Sequence, residues 1–269
     1  MKTAFVLFGC ASFLLAQDTS GRITVPFSDA SRPRVVQGSL LNGCFTVEGY
    51  DGKDVIVEAK IDKTAPTPKP PREAEGMRRI RPAGPGLTVE EEGNVVQIHS
   101  SMSQDGDVLV RVPWATSLKL KCTNGGDMKV SRVSGDLELQ NVNGAVTATN
   151  VSGSMVAHAL NGKLLVGMDK IASDKPMSFT SMNGDVDVTL PPDARGTLRM
   201  KSDQGEIFTD FDVKINATSS APVVEDGRAK GGKYRVKLDQ ATTVGTINGG
   251  GPDMTFKTVN GNVYIRSKK

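Results

Sequence analysis

The chain has 269 residues, with 33 lysines and arginines against 30 aspartates and glutamates, a formal charge of +3. So even a balance argues against a nucleic-acid-binding protein, in which a clustered basic face is expected. Abundant glycine, scarce aromatics and no helical periodicity sustained over three turns point to an all-β chain.

Met1 to Ala16 reads as a secretory signal peptide: Lys2 supplies the positive start, Ala4 to Leu15 is apolar, and Ala16 is a small residue just before Gln17. Cys10, after Leu7-Phe8-Gly9, resembles a lipoprotein processing box, but Phe8 fits it poorly and the apolar run before it is short. No later stretch reaches the ~18 apolar residues of a membrane helix, so no integral span is expected. Residues 17–269 are expected to form one elongated β-domain, exported to the periplasm, the cell surface or the medium.

Ile23 to Lys60 holds the opening strands, with Leu41-Asn42-Gly43-Cys44-Phe45-Thr46-Val47 as turn then strand. Residues 63–85 break the pattern: six prolines with Arg72, Arg78, Arg79 and Arg81 cannot lie in a sheet interior. This loop is read as a solvated insertion, with contact to acidic glycans or phospholipid head groups as the functional reading of its basic tip. Strands resume at Leu87 to Val89, Val95 to Ile98 and Val108 to Val112. Pro113 and Trp114 mark a corner, with the tryptophan expected to cap the core.

From Cys122 to Gly167 the chain is periodic. Gly126, Gly135, Gly144, Gly153 and Gly162 follow one another at nine-residue intervals, the mark of a repeat architecture. Two and four positions after each glycine stand Met128, Leu137, Val146, Met155 and Leu164, then Val130, Leu139, Ala148, Ala157 and Val166. Polar residues alternate with them, so each nonapeptide is a half-buried strand of about five residues plus a corner at which glycine supplies positive φ. Such strands bury their apolar side only by stacking. Two nonapeptides then make one coil, and the expected fold is a single-stranded β-solenoid or β-helix of ~18–22-residue coils with two long loops. A meander of hairpins would use the same strands and turns.

Beyond Gly167 the spacing loosens, with Gly184 and Gly205 continuing the series at 22 and 21 residues, each coil carrying an insertion at one corner. Residues 216–233 form a second polar loop. Gly261 precedes the last strand, Val263 to Arg266, expected to be an exposed edge whose Arg266, Lys268 and Lys269 oppose end-to-end pairing.

Val110-Arg111-Val112-Pro113 before Ser-Leu-Lys-Leu, the Val-Ser-Gly-Asp-Leu and Val-Asn-Gly frames, and the terminal Gly-Gly-Gly-Pro with Thr-Val-Asn-Gly-Asn-Val together carry a family resemblance. Over Val35 to Arg266 the chain resembles the bacterial putative-adhesin family, an exported domain of unknown function related to autotransporter adhesin head domains. The resemblance implies a β-solenoid in an exported or envelope protein, and it brings no catalytic residues. The basic proline loop departs from the family.

Candidate chemistry is sparse. Calcium-binding β-rolls also repeat every nine residues, but the position after the glycine runs Asp127, Asp136, Ala145, Ser154, Lys163, and a lysine there repels the ion. Asp185 with Asp187, or Asp210 with Asp212, could set two carboxylates on one strand face for glycoside cleavage; a polar outer face explains them as well. His99 and His158 fall in no metal or nucleophile frame, so no catalytic residue, metal or cofactor is expected. Cys44 and Cys122 could bridge in an oxidising compartment, although Cys122 reads inward and Cys44 sits at a corner.

Thr147, Thr149, Asn141 and Asn150 are read as outward polar ladders. Val156, Leu165, Phe208 and Tyr264 occupy an outward apolar column that is either a contact surface or is covered by the loops. The functional expectation is a non-enzymatic putative adhesin or cell-envelope interaction protein whose partner is a glycan or a surface protein. A polysaccharide-active parallel β-helix enzyme of lyase or hydrolase type is the alternative, and a purely structural envelope protein is a third reading.

Overall fold

The computed structural model describes residues 22–61, 87–100, 106–219, 223–226, 234–237 and 242–269. The signal segment 1–16, Cys10 and the basic loop 63–85 with Arg72, Arg78, Arg79 and Arg81 lie outside them. The described residues contain strands and no helix. The N-terminal strands are β1 (Arg22–Val25), β2 (Val35–Asn42), β3 (Phe45–Tyr50), β4 (Val55–Ile61), β5 (Leu87–Glu92), β6 (Val95–Ser100) and β7 (Gly106–Pro113). The central block holds β8 (Ser117–Asn124), β9 (Met128–Ser131), β10 (Ser134–Asn143), β11 (Val146–Asn161), β12 (Leu164–Ile171), β13 (Met177–Ser181) and β14 (Val186–Leu190). There follow β15 (Gly196–Ser202), β16 (Ile207–Thr209), β17 (Lys214–Ser219), β18 (Val223–Asp226), β19 (Tyr234–Lys237), β20 (Thr242–Ile247), β21 (Asp253–Thr258) and β22 (Val263–Ser267). β17 and β18 therefore run into the stretch 216–233, expected to be loop, and β18 pairs with β19 as a separate hairpin.

The molecule is all-β and solenoid-like. One parallel ladder runs β6, β2, β8, β10, the second half of β11, β13, β21, β15. The other runs β7, β3, β9, the first half of β11, β12, β14, β22, β16. Leu137 lies beside Met155, and Met128 beside Val146 and then Leu164, each a step of eighteen residues. Leu164 to Val186 is a step of 22. The inner columns read from the sequence are buried, from Met128 through Val166, and Phe179 stacks on Phe256 at 5.2 Å between ring centroids. Antiparallel strands close the ladders: β5 on β6, and β4 with β1 on β7, at one end; β20 with β17 on β15 at the other.

The rungs do not follow chain order. β2 and β3 lie between β6/β7 and β8/β9, and β21 and β22 lie between β13/β14 and β15/β16. Gly205 is consequently two rungs from Gly184, with Gly261 between, so its 21-residue interval is a double step and not a corner insertion. Prolines mark both double steps. From β7 to β8 the chain passes through Pro113 to Thr116, where the Thr116 hydroxyl donates to the Pro113 carbonyl (2.7 Å). From β14 to β15 it passes through Pro191 to Ala194, where the Ala194 amide donates to the Pro191 carbonyl (3.0 Å). Trp114, on the outside of the first step, is 54% exposed and does not cap the core. The last strand β22 is flanked on both sides, and the edge falls at β16 instead. Arg266 is engaged with Asp187 through two hydrogen bonds (2.8 and 3.1 Å).

The nine-residue period conflates two corners. Gly126, Gly144, Gly162, Gly184, Gly261 and Gly205 line one of them. There a Cβ on Gly162 would lie 2.2 Å from the Gly144 carbonyl oxygen, and one on Gly205 2.0 Å from that of Gly261. Close approach of successive backbones thus demands glycine even where φ is ordinary. Gly135 and Gly153 lie inside β10 and β11 on the other side, where Arg132 (φ 57°) and Asn150 (φ 53°) take the left-handed conformation alongside Gly153 (φ 113°).

The inserted N-terminal rung is bonded to its neighbour. Cys44, just before β3, and Cys122, on β8, form a disulfide with Cα atoms 5.5 Å apart, both side chains buried. Gly43, at φ 97°, turns the chain so that the corner residue Cys44 points into the core.

Two predictions follow from these contacts. Replacing both cysteines by alanine opens a loop of 78 residues and should lower unfolding free energy by about 4 kcal/mol; denaturant titration of the variant checks it. Gly162→Ala should cost more than about 2 kcal/mol, because rungs must separate, whereas Gly167→Ala, whose Cβ meets nothing nearer than 3.9 Å, should stay within about 0.5 kcal/mol. Thermal melts of the two variants side by side decide between close approach and mere turn preference.

Candidate functional site

Parallel register turns the outward residues of each strand into rows across the rungs. On the first ladder His99, Ser39, Lys121, Gln140, His158, Thr180 and Lys257 form one row. Two residues earlier on each strand, Gln97, Gln37, Lys119, Glu138, Val156, Ser178 and Thr255 form the next. The first four positions of both rows line a groove of about 410 Å³ over β6, β2, β8 and β10. Its rim is internally bonded. His99 Nε2 lies 3.2 Å from Gln97 Oε1, Lys119 pairs with Glu138 at 3.0 Å, and the Gln140 amide donates to Glu138 at 3.1 Å. Gln37, Ser39 and Lys121 have no side-chain hydrogen-bond or ion-pair partner among the described residues.

Two other regions of the surface are concave or apolar. On the second ladder Leu165, Asp187, Tyr264 and Phe208 make a row, with Phe208 stacked on Tyr264 at 5.3 Å and the Arg266 guanidinium 5.0 Å from the Tyr264 centroid. Leu165 and Phe208 are each 45% exposed. Val156, expected in this column, is 47% exposed on the first ladder, because Gly153 belongs to the other corner. A crevice of about 590 Å³ lies between the end of β12 with Ser173, the loop 191–195 and the turn 250–252, and its Asp169 is paired with Lys268 (2.6 Å).

Of the four carboxylates considered for hydrolysis, all but Asp212 have structural partners among the described residues. Asp185 accepts the Asn262 amide (2.9 Å), Asp187 holds Arg266, and Asp210 accepts the Ser267 amide (2.6 Å). Asp127 accepts the Ala145 amide of the next rung (2.8 Å). Asp136 binds Lys175 through both oxygens (2.9 and 2.8 Å) and accepts the Ser154 hydroxyl (2.6 Å); these partners hold its pKa below the ordinary 3.8, and Lys175 is raised in turn. His158, outward on β11, lies 2.8 Å from the Thr180 hydroxyl.

Asn141 is not an outward ladder residue. It is buried, and its amide donates to the carbonyls of Gly126 (3.1 Å) and Ala145 (3.0 Å) inside the glycine corner. Thr147 and Thr149 do point outward on the second ladder, and Asn150 occupies its corner. The true asparagine ladder is the residue before the glycine. Asn143 donates to Asn124, Asn161 to Asn143, Asn183 to Asn161 and Asn260 to Asn183, at 2.6–3.1 Å. Its signal, Asn-Gly recurring once per coil, stood in the frames themselves.

Residues 95–248 match the sequence profile of a family described as Toastrack DUF4097. The chain belongs to the Toastrack DUF4097 family. The Toastrack match begins at β6 and ends just after β20, so both inserted rungs, β2/β3 and β21/β22, lie outside it, and it is shorter than the expected Val35–Arg266. No curated protein matches the sequence. Two crystal structures are similar: a "putative cell adhesion protein" from Clostridium sporogenes, at 8% identity and TM-score 0.39, covering 92% of this chain and 99% of that one; and a "putative adhesin" from Bacteroides fragilis, at 11% and 0.33, covering 92% and 97%.

The Asp136–Lys175 cluster predicts a pH dependence. Since the folded pKa of Asp136 is depressed, its contribution to stability is complete above the ordinary 3.8 and is lost as pH falls through the lower folded value. Asp136→Asn should therefore flatten the acid limb of stability against pH, by less than about 1 kcal/mol because the pair is solvent-exposed. Urea midpoints measured across that range for both proteins supply the comparison.

Proposed function

We propose that this Toastrack protein is an exported, non-enzymatic β-solenoid of 18- to 22-residue coils that acts in adhesion or cell-envelope interaction. The observation that carries the reading is the outer face of the first ladder, where backbone register fixes rows of polar side chains and leaves Gln37, Ser39 and Lys121 without partners among the described residues. A rigid sheet holding open donors and acceptors is suited to surface recognition. Export is supported by the leader-like Met1–Ala16 and by the Cys44–Cys122 bridge, which an oxidising compartment favours. Among the described residues no helix is long and apolar enough to cross a membrane.

The hydrolase reading is disfavoured by the same geometry. A general acid needs a raised pKa and a free approach to substrate, whereas Asp185, Asp187 and Asp210 each hold a backbone amide or Arg266. The expected outcome is retention of the purified protein on native envelope fractions, with no release of reducing ends from polysaccharides incubated with it. Turnover that disappears in Asp187→Asn while the fold persists would reverse the assignment.

A further inference from the structure

We propose that the groove over β6, β2, β8 and β10 is a binding site for an acidic saccharide, with its carboxylate on Lys121 and its hydroxyls on Gln37, Ser39 and the surrounding amides. This rests on the surface-interaction reading of the same face and supplies its ligand class.

Size comes first. Four strands at a spacing of about 4.8 Å span roughly 14 Å, long enough for a short oligosaccharide, and a volume of about 410 Å³ falls among small-ligand sites. Functional groups come second. Gln37 presents both donors and an acceptor, Gln97 and Gln140 keep the amide groups not used in their rim bonds, and Ser39 presents a hydroxyl. Such groups match sugar hydroxyls, which also donate and accept. The lining has no Phe, Tyr or Trp ring, and its aliphatic side chain, Leu120, is buried, so an apolar peptide anchor finds no pocket.

Charge comes third. Lys119 is neutralised by Glu138, but Lys121, beside Ser39 across the ladder, has no ion-pair partner among the described residues. Among those residues the groove therefore carries one open cation amid neutral hydrogen-bonding groups. A carboxylate flanked by sugar hydroxyls complements that arrangement better than a neutral sugar or a polyanion poor in hydroxyls, such as a nucleic acid. The bonded rim, His99 with Gln97 and both Lys119 and Gln140 with Glu138, is ordered before a ligand arrives, which lowers the entropy cost of binding.

The test titrates the full chain with a galacturonic acid tetramer, a neutral maltotetraose and an oligodeoxynucleotide of matched charge, by calorimetry and by NMR chemical-shift mapping. Expected is one galacturonate site, with shifts confined to 37–39, 97–99, 119–121 and 138–140. Affinity should fall with ionic strength and drop at least tenfold in Lys121→Gln and several-fold in Gln37→Ala. Lys129→Gln, on the opposite ladder, should bind as the parent does. Absence of galacturonate binding at millimolar concentration, equal affinity for maltotetraose or for the oligonucleotide, or equal losses in Lys121→Gln and Lys129→Gln would each overturn the proposal. Shift mapping on the parent protein keeps the result independent of how the variants fold. Retention on envelope fractions despite such a failure would place the contact elsewhere and leave the interaction reading standing.

Discussion

At the glycine corner of four rungs a glycine carbonyl is met by a buried donor from a neighbouring strand, and no Cβ fits between successive backbones there. Asn141 donates to Gly126, Ser181 to Gly162 (3.0 Å), Thr258 to Gly184 (2.8 Å) and Ser202 to Gly261 (2.8 Å). Each is a buried polar group that would be costly if unpaired. Together with the asparagine ladder outside the corner, these bonds fix which residue lies beside which. A slip by one residue would put every donor on the outer face and every apolar side chain in water. The rows that line the groove are a consequence of that register, since Ser39, Lys121 and Gln140 are neighbours only while their corners are aligned.

The same register lets the two ends of the chain occupy interior rungs. β2/β3 and β21/β22 present the same corner, Leu40-Leu41-Asn42-Gly43 and Thr258-Val259-Asn260-Gly261, and so meet their neighbours as any other rung does. Their partners are distant in sequence, which makes them the expensive rungs in loop-closure entropy. Specific cross-rung contacts offset that cost. The N-terminal rung has the Cys44–Cys122 bond and the contact of Arg132 with Glu48. The C-terminal rung has the Phe179–Phe256 and Phe208–Tyr264 stacks, Arg266 on Asp187 and Asp253 on Arg199 (3.3 Å). Because β22 is held between β14 and β16, the polar groups of an open edge fall at the three-residue β16 instead, a short edge that limits pairing with other chains.

Much of this was legible in the residues, and what was not has identifiable causes. Apolar alternation after each glycine gave the inner columns correctly, because period two is a property of the strand alone. Rung order is not local, so the interleaving of β2/β3 and β21/β22 left no periodic trace. Its one sign was the pair of proline steps, Pro113 and Pro191, each joining strands two rungs apart. A strict nine-residue frame also merged two corners with different chemistry, which misplaced Val156 and turned Asn141 outward. Asn141 illustrates the general difficulty: an asparagine on the inner face of a strand looks like an exception until the carbonyls of Gly126 and Ala145 stand opposite it. Of the groove, the strands carrying Gln37, His99 and Lys121 were foreseen, but their adjacency was not, since they come from three segments of the chain.

The division of labour among charged groups follows from where the backbone needs help. Residues just after the glycine, Asp127 and Asp185 among them, are turned along the axis to receive the next rung's amide, so their negative charge is held by hydrogen bonds. Among the described residues the acidic groups whose pKa is shifted, Asp29, Glu91 and Asp136, are shifted downward, each chiefly by hydrogen bonding to serine or lysine. Carboxylates held this way are poor proton donors, and the scaffold gains rigidity where a hydrolase would need an open acid. Side chains pointing away from the sheet between those positions face no such demand. Lys121 and Gln37 can change without disturbing a single ladder bond, so the first ladder's outer face is where binding chemistry can be varied independently of the fold.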